Sequence, residues 1–260
     1  MHLTLIRHGE TPSNVRGLLD TAPPGPALTE LGRQQAAAVP AALAGRPVDA
    51  LYASTAVRAQ QTATPLATER GLPILVRADL REIPAGDWEM AGDMDTVTRY
   101  LGLIVEWMSG RLDGRSPGPD GESGHQVLER FDGVVDEVAA SGVGHAVLVA
   151  HGAVLRFWAA ARSVNLPVGF GAEHRLRNTG RIEVDGDPRA GWVCRSWTGE
   201  ALVGGTTAGD VFARTGPGTT DGPGGRGGAG VPGGLGGHGA PGGHGSEGGH
   251  GSEGGHGWAG

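Results

Sequence analysis

The chain has 260 residues and a formal net charge of −7 at pH 7, without the clustered basic excess that a nucleic-acid-binding face requires. All 21 basic residues are arginine, so any cationic group that holds an anion must be arginine or histidine. Cys194 is the only cysteine, the chain shows no basic-then-apolar leader, and no run of about 18 apolar residues appears. We therefore expect a cytoplasmic protein with no nucleic-acid or membrane partner.

The composition changes near Gly204. Of the last 57 residues, 26 are glycine, and so few apolar side chains cannot offset the entropy of ordering the segment. We expect one domain over residues 1–203, which is long enough to bury a core, followed by a disordered low-complexity tail over residues 204–260.

The first part of the domain alternates predicted strands and helices. Thr29 is a suitable N-cap for a helix that ends at Gly45, and Pro40 weakens its second half. Ser54 and Thr55 are typical of the cap of the next helix. The predicted strands cover residues 3–6, 49–53 and 73–76, and the predicted helices cover 29–45 and 54–71.

Residues 84–121 are interpreted as a cap insertion. Within it, apolar residues recur at helical spacing between Gly92 and Gly110, which predicts a helix that forms a wall on one side of a site. These residues are Val97, Leu101, Ile104, Val105 and Met108. The larger side chains of the insertion either line an apolar wall or pack the insertion itself, and they are Trp88, Met94, Tyr100 and Trp107.

The remaining elements complete an α/β pattern. Ser123 and Gln126 form a capping-box pattern before an amphipathic helix. Next come a strand at residues 146–150, a helix at 153–161, and an antiparallel pair at 181–184 and 192–196 whose turn is 185–188. The elements together predict a three-layer α/β/α domain with a mostly parallel central sheet.

Two histidines stand where apolar strands run into glycine. His8 follows Leu5-Ile6-Arg7, and His151 follows Val147-Leu148-Val149-Ala150. Ligands of open α/β sheets bind beyond the carboxyl ends of the strands, so the two imidazoles become neighbours if both strands are central. The alternative for His8 is a structural histidine at a strand end.

Four segments, in order, resemble the histidine phosphatase superfamily, also called phosphoglycerate mutase-like, and the resemblance covers residue 1 to about 200. A lone Arg-His-Gly would be weak evidence, whereas four ordered matches are strong. The segments are Leu5-Ile6-Arg7-His8-Gly9-Glu10-Thr11 with Asn14, Ser54 to Ala63, Leu80-Arg81-Glu82-Ile83, and Val149-Ala150-His151-Gly152.

The resemblance implies a covalent phosphohistidine intermediate on His8, with the other ring nitrogen donating to a backbone carbonyl. Arg7 and Arg58 would hold the phosphoryl oxygens. His151 and Asn14 would add further donors. Glu82 would serve as acid and then base, which calls for a raised pKa. The resemblance implies no metal and no cofactor.

Some of these assignments have rivals. Glu10 and Glu89 are alternative carboxylates to Glu82, and Arg58 could instead be a solvated residue at a helix start. Ser123 is expected mainly to cap its helix. We interpret His125, His145 and His174 as surface or structural residues.

The segment after Glu82 is similar to the phosphatase branch and departs from the Glu-Arg-His-Tyr-Gly pattern of the mutases. The chain is therefore predicted to be a histidine acid phosphatase-type phosphomonoesterase acting on a small phosphorylated metabolite of unknown identity. Two alternatives stay open. One is a cofactor-dependent phosphoglycerate-type mutase, and the other is a non-catalytic phosphate- or metal-binding member of the fold.

Histidines recur every six residues in the tail, at His238, His244, His250 and His256. Flexible histidines beside Glu247 and Glu253 suit weak divalent metal binding. The simpler alternative is a low-complexity extension without a site, because nothing in a glycine chain preorganises ligands.

Overall fold

A computed structural model describes residues 1–203 and 206–207 of the chain. Of the tail predicted over residues 204–260, only Thr206 and Thr207 are described, and they form a short strand. The predictions of disorder for the rest and of metal binding by its histidines lie outside the described residues. In the described part, the strands are β1 (His2–Arg7), β2 (Ala50–Ser54), β3 (Ile74–Arg77), β4 (His145–Ala150), β5 (Arg181–Asp187), β6 (Gly191–Trp197), β7 (Glu200–Val203) and β8 (Thr206–Thr207).

Helices cover both faces of the sheet that these strands form. They are α1 (Pro12–Arg16), α2 (Glu30–Ala37), α3 (Val39–Ala42), α4 (Val57–Arg70), α5 (Met94–Met108), α6 (Gly124–Ala140), α7 (Gly152–Arg162) and α8 (Phe170–Glu173). In the part of the chain that the structure describes, no helix combines the length and the apolar character needed to cross a membrane. The expected cytoplasmic location stays a prediction.

The strand order in the sheet is β3-β2-β4-β1-β5-β6-β7-β8. Pairing is parallel among β3, β2, β4 and β1, and antiparallel from β1 to β8. The three-layer α/β fold with a central sheet is confirmed. The parallel character predicted for the sheet is confined to its first four strands.

The two central strands are buried on both faces, as expected for parallel strands covered by helices. On β1, Leu3 and Leu5 face the larger hydrophobic core, whereas Ile6 faces a smaller core on the opposite side. On β4, Leu148 faces the larger core and Val149 the smaller one. The sheet therefore separates two hydrophobic layers.

Three local predictions need correction. The helix expected from Thr29 to Gly45 is two short helices, because Pro40 lies in the first turn of α3 and a new helix begins there. The N-cap of α4 is Ala56, with no side-chain cap, so Ser54 and Thr55 do not cap this helix. The β5–β6 pairing extends to Asp187 opposite Gly191, so the turn lies after Asp187 and not at residues 185–188.

Candidate active site

The register of β1 on β4 pairs Arg7 with Ala150. His8 and His151 therefore leave the sheet at the same edge, and their ring centroids lie 5.2 Å apart. Both side chains are buried, at 4% and 1% exposure. The structure thus brings together two imidazoles that are separated by more than half of the chain.

The hydrogen bonds of His8 define its tautomer. Its backbone N–H donates to the carbonyl oxygen of Ala150 at 3.0 Å, and its ring Nδ1 lies 2.7 Å from the carbonyl oxygen of Gly9. A carbonyl oxygen only accepts hydrogen bonds, so Nδ1 carries the proton. Burial, with the charges of Arg7 and Arg58, lowers the pKa of His8 well below its usual value of 6.5. The neutral ring consequently has its lone pair on Nε2.

His151 contacts Ser54, which sequence analysis assigned to the cap of the next helix. Its Nε2 lies 2.9 Å from Oγ of Ser54, and that oxygen also accepts from the N–H of Ala56 at 3.3 Å. Burial and the charge of Arg58 lower the pKa of His151 well below 6.5. Its Nδ1 is buried without a hydrogen-bond partner among the described residues.

Arg7 and Arg58 supply positive charge beside the two rings. Nη1 of Arg7 donates to the carbonyl oxygen of Leu176 at 2.8 Å, and burial lowers the pKa of Arg7 to about 10. Nη2 of Arg58 donates to the carbonyl oxygen of Asp20 at 3.0 Å. Arg58 is only 2% exposed, which contradicts the alternative of a solvated residue at a helix start.

Arg58 is partly ion-paired and partly unsatisfied. Its Nη1 lies 3.6 Å from the carboxylate of Asp20 and has no hydrogen-bond partner among the residues that the structure covers. The loop that carries Gly25 packs directly on this nitrogen, since a Cβ at Gly25 would overlap Nη1. A buried N–H without an acceptor is costly, so this guanidinium is suited to receive an anion.

Glycine follows His8 because another backbone passes close by. A Cβ at Gly9 would lie 2.6 Å from the carbonyl oxygen of Gly32. The N–H of Gly9 donates to Oγ1 of Thr62 at 2.9 Å, and this hydroxyl donates to the carbonyl oxygen of Arg58 at 2.7 Å. The loop that carries His8 and the helix that carries Arg58 are therefore linked directly.

Asn14 lies next to the loop that carries His8. Its Oδ1 accepts from the N–H of Thr11 at 3.1 Å and from Nδ2 of Asn178 at 3.1 Å. Nδ2 of Asn178 also donates to the carbonyl oxygen of His8 at 3.0 Å. These bonds fix the amide of Asn14 with its NH₂ group as the remaining donor.

The carboxylate of Glu82 is hydrogen-bonded to the first turn of α7, the helix that begins immediately after His151. Its carboxylate accepts from the N–H groups of Ala153 and Val154 at 3.0 and 2.8 Å, and from that of Ile83 at 2.9 Å. A helix N-terminus offers free N–H groups and a positive dipole end, which suit a carboxylate. Glu82 is 7% exposed, and two of its backbone partners lie two and three residues after His151 in the chain.

Arg130 of α6 fixes the main chain around Glu82. Its guanidinium donates to the carbonyl oxygens of Asp79, Arg81 and Glu82 at 2.6, 2.9 and 3.1 Å. Its Nε and Nη2 contact the carboxylate of Glu122, all at 3.1 Å. Sequence analysis did not find Arg130, because its carbonyl partners at residues 79–82 are far away from it in the chain.

The rival carboxylates have other contacts. Glu89 accepts from the N–H groups of Thr21 and Ala22 at 2.8 and 3.0 Å, so it orders the loop before Gly25. Glu10 accepts from Oγ1 of Thr29 at 2.7 Å. Of the three glutamates, Glu82 is the one whose charge acts on both Arg7 and Arg58 as well as on Arg156.

The other polar residues considered have structural surroundings. His145 contacts Oγ1 of Thr4 at 2.9 Å and begins its strand at the opposite edge of the sheet. His125 is exposed, and His174 stacks on Phe170 with centroids 3.8 Å apart. Ser123 forms the predicted capping box with Gln126.

The large side chains of the segment 84–121 mostly pack. Tyr100 and Trp107 are each 1% exposed and donate to the carbonyl oxygens of Ile83 and Gly114. Trp88 is partly buried against the larger core. Met94 is 56% exposed. A cavity of the domain has Arg7 in its lining, and none of these four side chains lines it.

Metal ligation finds no support in the described ranges 1–203 and 206–207. Within them, no group of three or more histidine, cysteine, aspartate or glutamate side chains is arranged to hold a metal ion. The donors that surround His8 are guanidinium, imidazole, amide and backbone N–H groups, which suit an anion.

Comparison with known proteins identifies proteins that are similar to this chain. Residues 3–199 match the family model of the histidine phosphatase superfamily (branch 1). Similar proteins include the PE-PGRS family protein PE_PGRS11 of Mycobacterium tuberculosis, which is 33% identical, with coverage of 76% of this chain and 36% of that protein. The chain therefore spans about a third of that relative. A glucosyl-3-phosphoglycerate phosphatase of Mycolicibacterium vanbaalenii is 32% identical, with 77% and 96% covered.

A solved structure agrees with these sequence matches. The mycobacterial glucosyl-3-phosphoglycerate phosphatase in complex with VO3 superimposes with a TM-score of 0.63 and 29% identity, covering 76% of this chain and 98% of that one.

Proposed function

This chain belongs to the histidine phosphatase superfamily, branch 1, and we propose that it is a phosphomonoesterase that works through a phosphohistidine on His8. The similar proteins with named activities are phosphatases. The substrate is a small phosphorylated metabolite. The observation that carries the proposal is the pair of buried, neutral imidazoles 5.2 Å apart, flanked by two buried arginines.

In the first step, the lone pair on Nε2 of His8 attacks phosphorus. The N–P bond forms while the bond between phosphorus and the ester oxygen breaks. The departing oxygen takes a proton from the carboxyl group of Glu82 and leaves as the alcohol. Arg7 and Arg58 hold the oxygens of the transferring group, where planar guanidinium groups match spread charge.

In the second step, water replaces the alcohol. Glu82, now ionised, takes a proton from that water, whose oxygen attacks phosphorus as the N–P bond breaks. The products are inorganic phosphate and neutral His8, with Glu82 protonated again. Nδ1 of His151 and the amide of Asn14 serve as further donors to the phosphoryl oxygens in both steps.

The test is a phosphate-release screen over a panel of phosphorylated metabolites, with His8→Ala as the control. The proposal predicts release by the wild type and a loss of several orders of magnitude in the variant. Wild-type turnover in His8→Ala would overturn the mechanism.

The screen also separates the two alternatives. A mutase would isomerise 3-phosphoglycerate without net release of phosphate and would depend on a bisphosphate primer. A non-catalytic member of the fold would bind VO3 or phosphate and turn over no ester. Release from any ester at a rate that depends on His8 is the outcome that the proposal requires.

A further inference from the structure

A cavity of about 240 Å³ is lined by Arg7 and Gly152, which are the chain neighbours of His8 and His151. One of its sides is the apolar face of α5. The five residues of this face recur at the spacing of successive helical turns, and all of them line the cavity. They are Val97, Leu101, Ile104, Val105 and Met108.

This face is only partly used by the core. Val97, Ile104 and Met108 are buried, whereas Leu101 is partly buried and Val105 is 44% exposed. When an apolar group of a ligand covers such a surface, the complex is stabilised by about 25 cal/mol for each Å² of apolar area removed from water. The α5 side of the cavity is therefore complementary to a hydrocarbon chain or ring.

The same cavity contains a positive charge that the phosphoryl group does not require. Arg156 of α7 lines it, and its guanidinium donates to the carbonyl oxygens of Gly152 and Gly171, both at 3.2 Å. Both acceptors are neutral. Within the described part of the chain, no carboxylate forms an ion pair with Arg156.

Arg156 has charged neighbours of both signs. Burial lowers its pKa, and the charge of Arg175 lowers it further, while Glu82 opposes the shift. Glu82 is already bound by three backbone N–H groups. Arg156 is partly buried and its two acceptors are neutral carbonyl oxygens, so a bound anion would supply the ion pair that it lacks.

We propose, on the basis of the phosphatase function above, that the substrate is a phosphomonoester whose leaving group has an apolar body and a second anionic group. The phosphoryl group lies between His8, Arg7 and Arg58. The apolar body covers the face formed by Leu101 and Val105, and the second anion, such as a carboxylate, binds Arg156.

The test compares two series of substrates, from ethyl to octyl length. One series consists of plain alkyl phosphates, and the other carries a carboxylate at the far end of the same chain. For wild-type enzyme, kcat/KM rises with length in both series, and at the best length the carboxylate adds about tenfold, which corresponds to one charge-assisted hydrogen bond. This comparison needs no variant.

Three variants locate the effect. Arg156→Ala removes the advantage of the carboxylate and keeps the dependence on length, and Arg156→Lys restores part of that advantage. Leu101→Asn reduces the dependence on length. Arg99→Ala removes an arginine from the exposed side of α5 and changes neither dependence, so it controls for net charge.

The outcomes distinguish this inference from the proposed function. Hydrolysis of both series without a preference for the carboxylate, or with a preference that Arg156→Ala retains, overturns the inference and leaves the phosphatase function standing. Failure of the folded wild type to hydrolyse any ester overturns the proposed function itself.

Discussion

Nδ1 of His8 lies 2.7 Å from the carbonyl oxygen of Gly9, the next residue in the chain. This single contact assigns the ring proton to Nδ1 and leaves the lone pair on Nε2, the atom that we propose as the nucleophile. The carbonyl cannot move independently, since Gly9 is packed against Gly32 and its N–H is bound by Thr62. The ring of His8 is therefore oriented by its own loop.

The first prediction concerns the titration of His8. Because burial and two neighbouring arginines lower its pKa, the ring is neutral at pH 6.5 and takes up a proton only at lower pH. NMR of ¹⁵N-labelled imidazoles should show His8 as the Nδ1–H tautomer at pH 6.5, with the exposed His125 as an internal reference. A half-protonated or fully protonated His8 at that pH would contradict this.

The second prediction concerns Ser54. Its hydroxyl oxygen accepts from the N–H of Ala56 and lies 2.9 Å from Nε2 of His151. We expect the hydroxyl to donate to Nε2, which places the proton of the neutral ring on Nδ1. Ser54→Ala should lower kcat/KM by about tenfold and change the tautomer of His151 in the NMR spectrum.

Ser163→Ala is the matched control for Ser54→Ala. Ser163 is also buried, and its hydroxyl has no hydrogen-bond partner among the residues described. This variant should leave both kcat/KM and the tautomer unchanged. A Ser54→Ala enzyme with an unaltered His151 tautomer would show that Ser54 does not orient this ring.

The third prediction concerns Arg130. Its removal leaves three carbonyl oxygens without a donor and Glu122 without its buried partner, which should cost about 3 kcal/mol of unfolding free energy in denaturant titrations. The main chain at Glu82 should shift as well. We therefore expect the fold decrease in kcat to be larger than the fold change in KM.

An exposed ion pair provides the comparison for Arg130. Arg77 and Glu137 contact each other at 2.5 Å with side chains 36% and 42% exposed, so Arg77→Ala should cost less than about 1 kcal/mol. Equal losses of stability in Arg130→Ala and Arg77→Ala, with unchanged kcat, would rule out the role given to Arg130.

The fourth prediction concerns Gly25. Its φ of 61° lies in the left-handed region, and a Cβ there would overlap Nη1 of Arg58. Gly25→Ala should displace the guanidinium and raise KM while lowering kcat. Gly45→Ala is the control, because Gly45 has a φ of 74° and no atom within 4 Å of the added Cβ. Similar activity in the two variants would contradict the contact.

The sequence was sufficient for the parts of the site that lie at strand ends. His8 and His151 follow apolar strands, and parallel pairing alone places them at one edge of the sheet. The apolar residues of α5 were also predicted from their spacing, because a regular helix fixes which side chains share a face.

The rest of the site depends on tertiary contacts that no local pattern encodes. Serine is a common helix cap, yet Ser54 lies two residues before the N-cap of α4 and contacts His151 instead. Asn178 and Arg130 reach the site from distant segments. The break between α2 and α3 could have been placed from Pro40, because proline favours the first turn of a helix and is costly in the interior.

The most direct test of the account is to quench the enzyme during turnover with a ³²P-labelled ester. The account predicts an acid-labile, base-stable label on the peptide that contains His8, attached through Nε2, and no label in His8→Ala. A label on another residue, or turnover by wild type with no covalent phosphoenzyme, would contradict it.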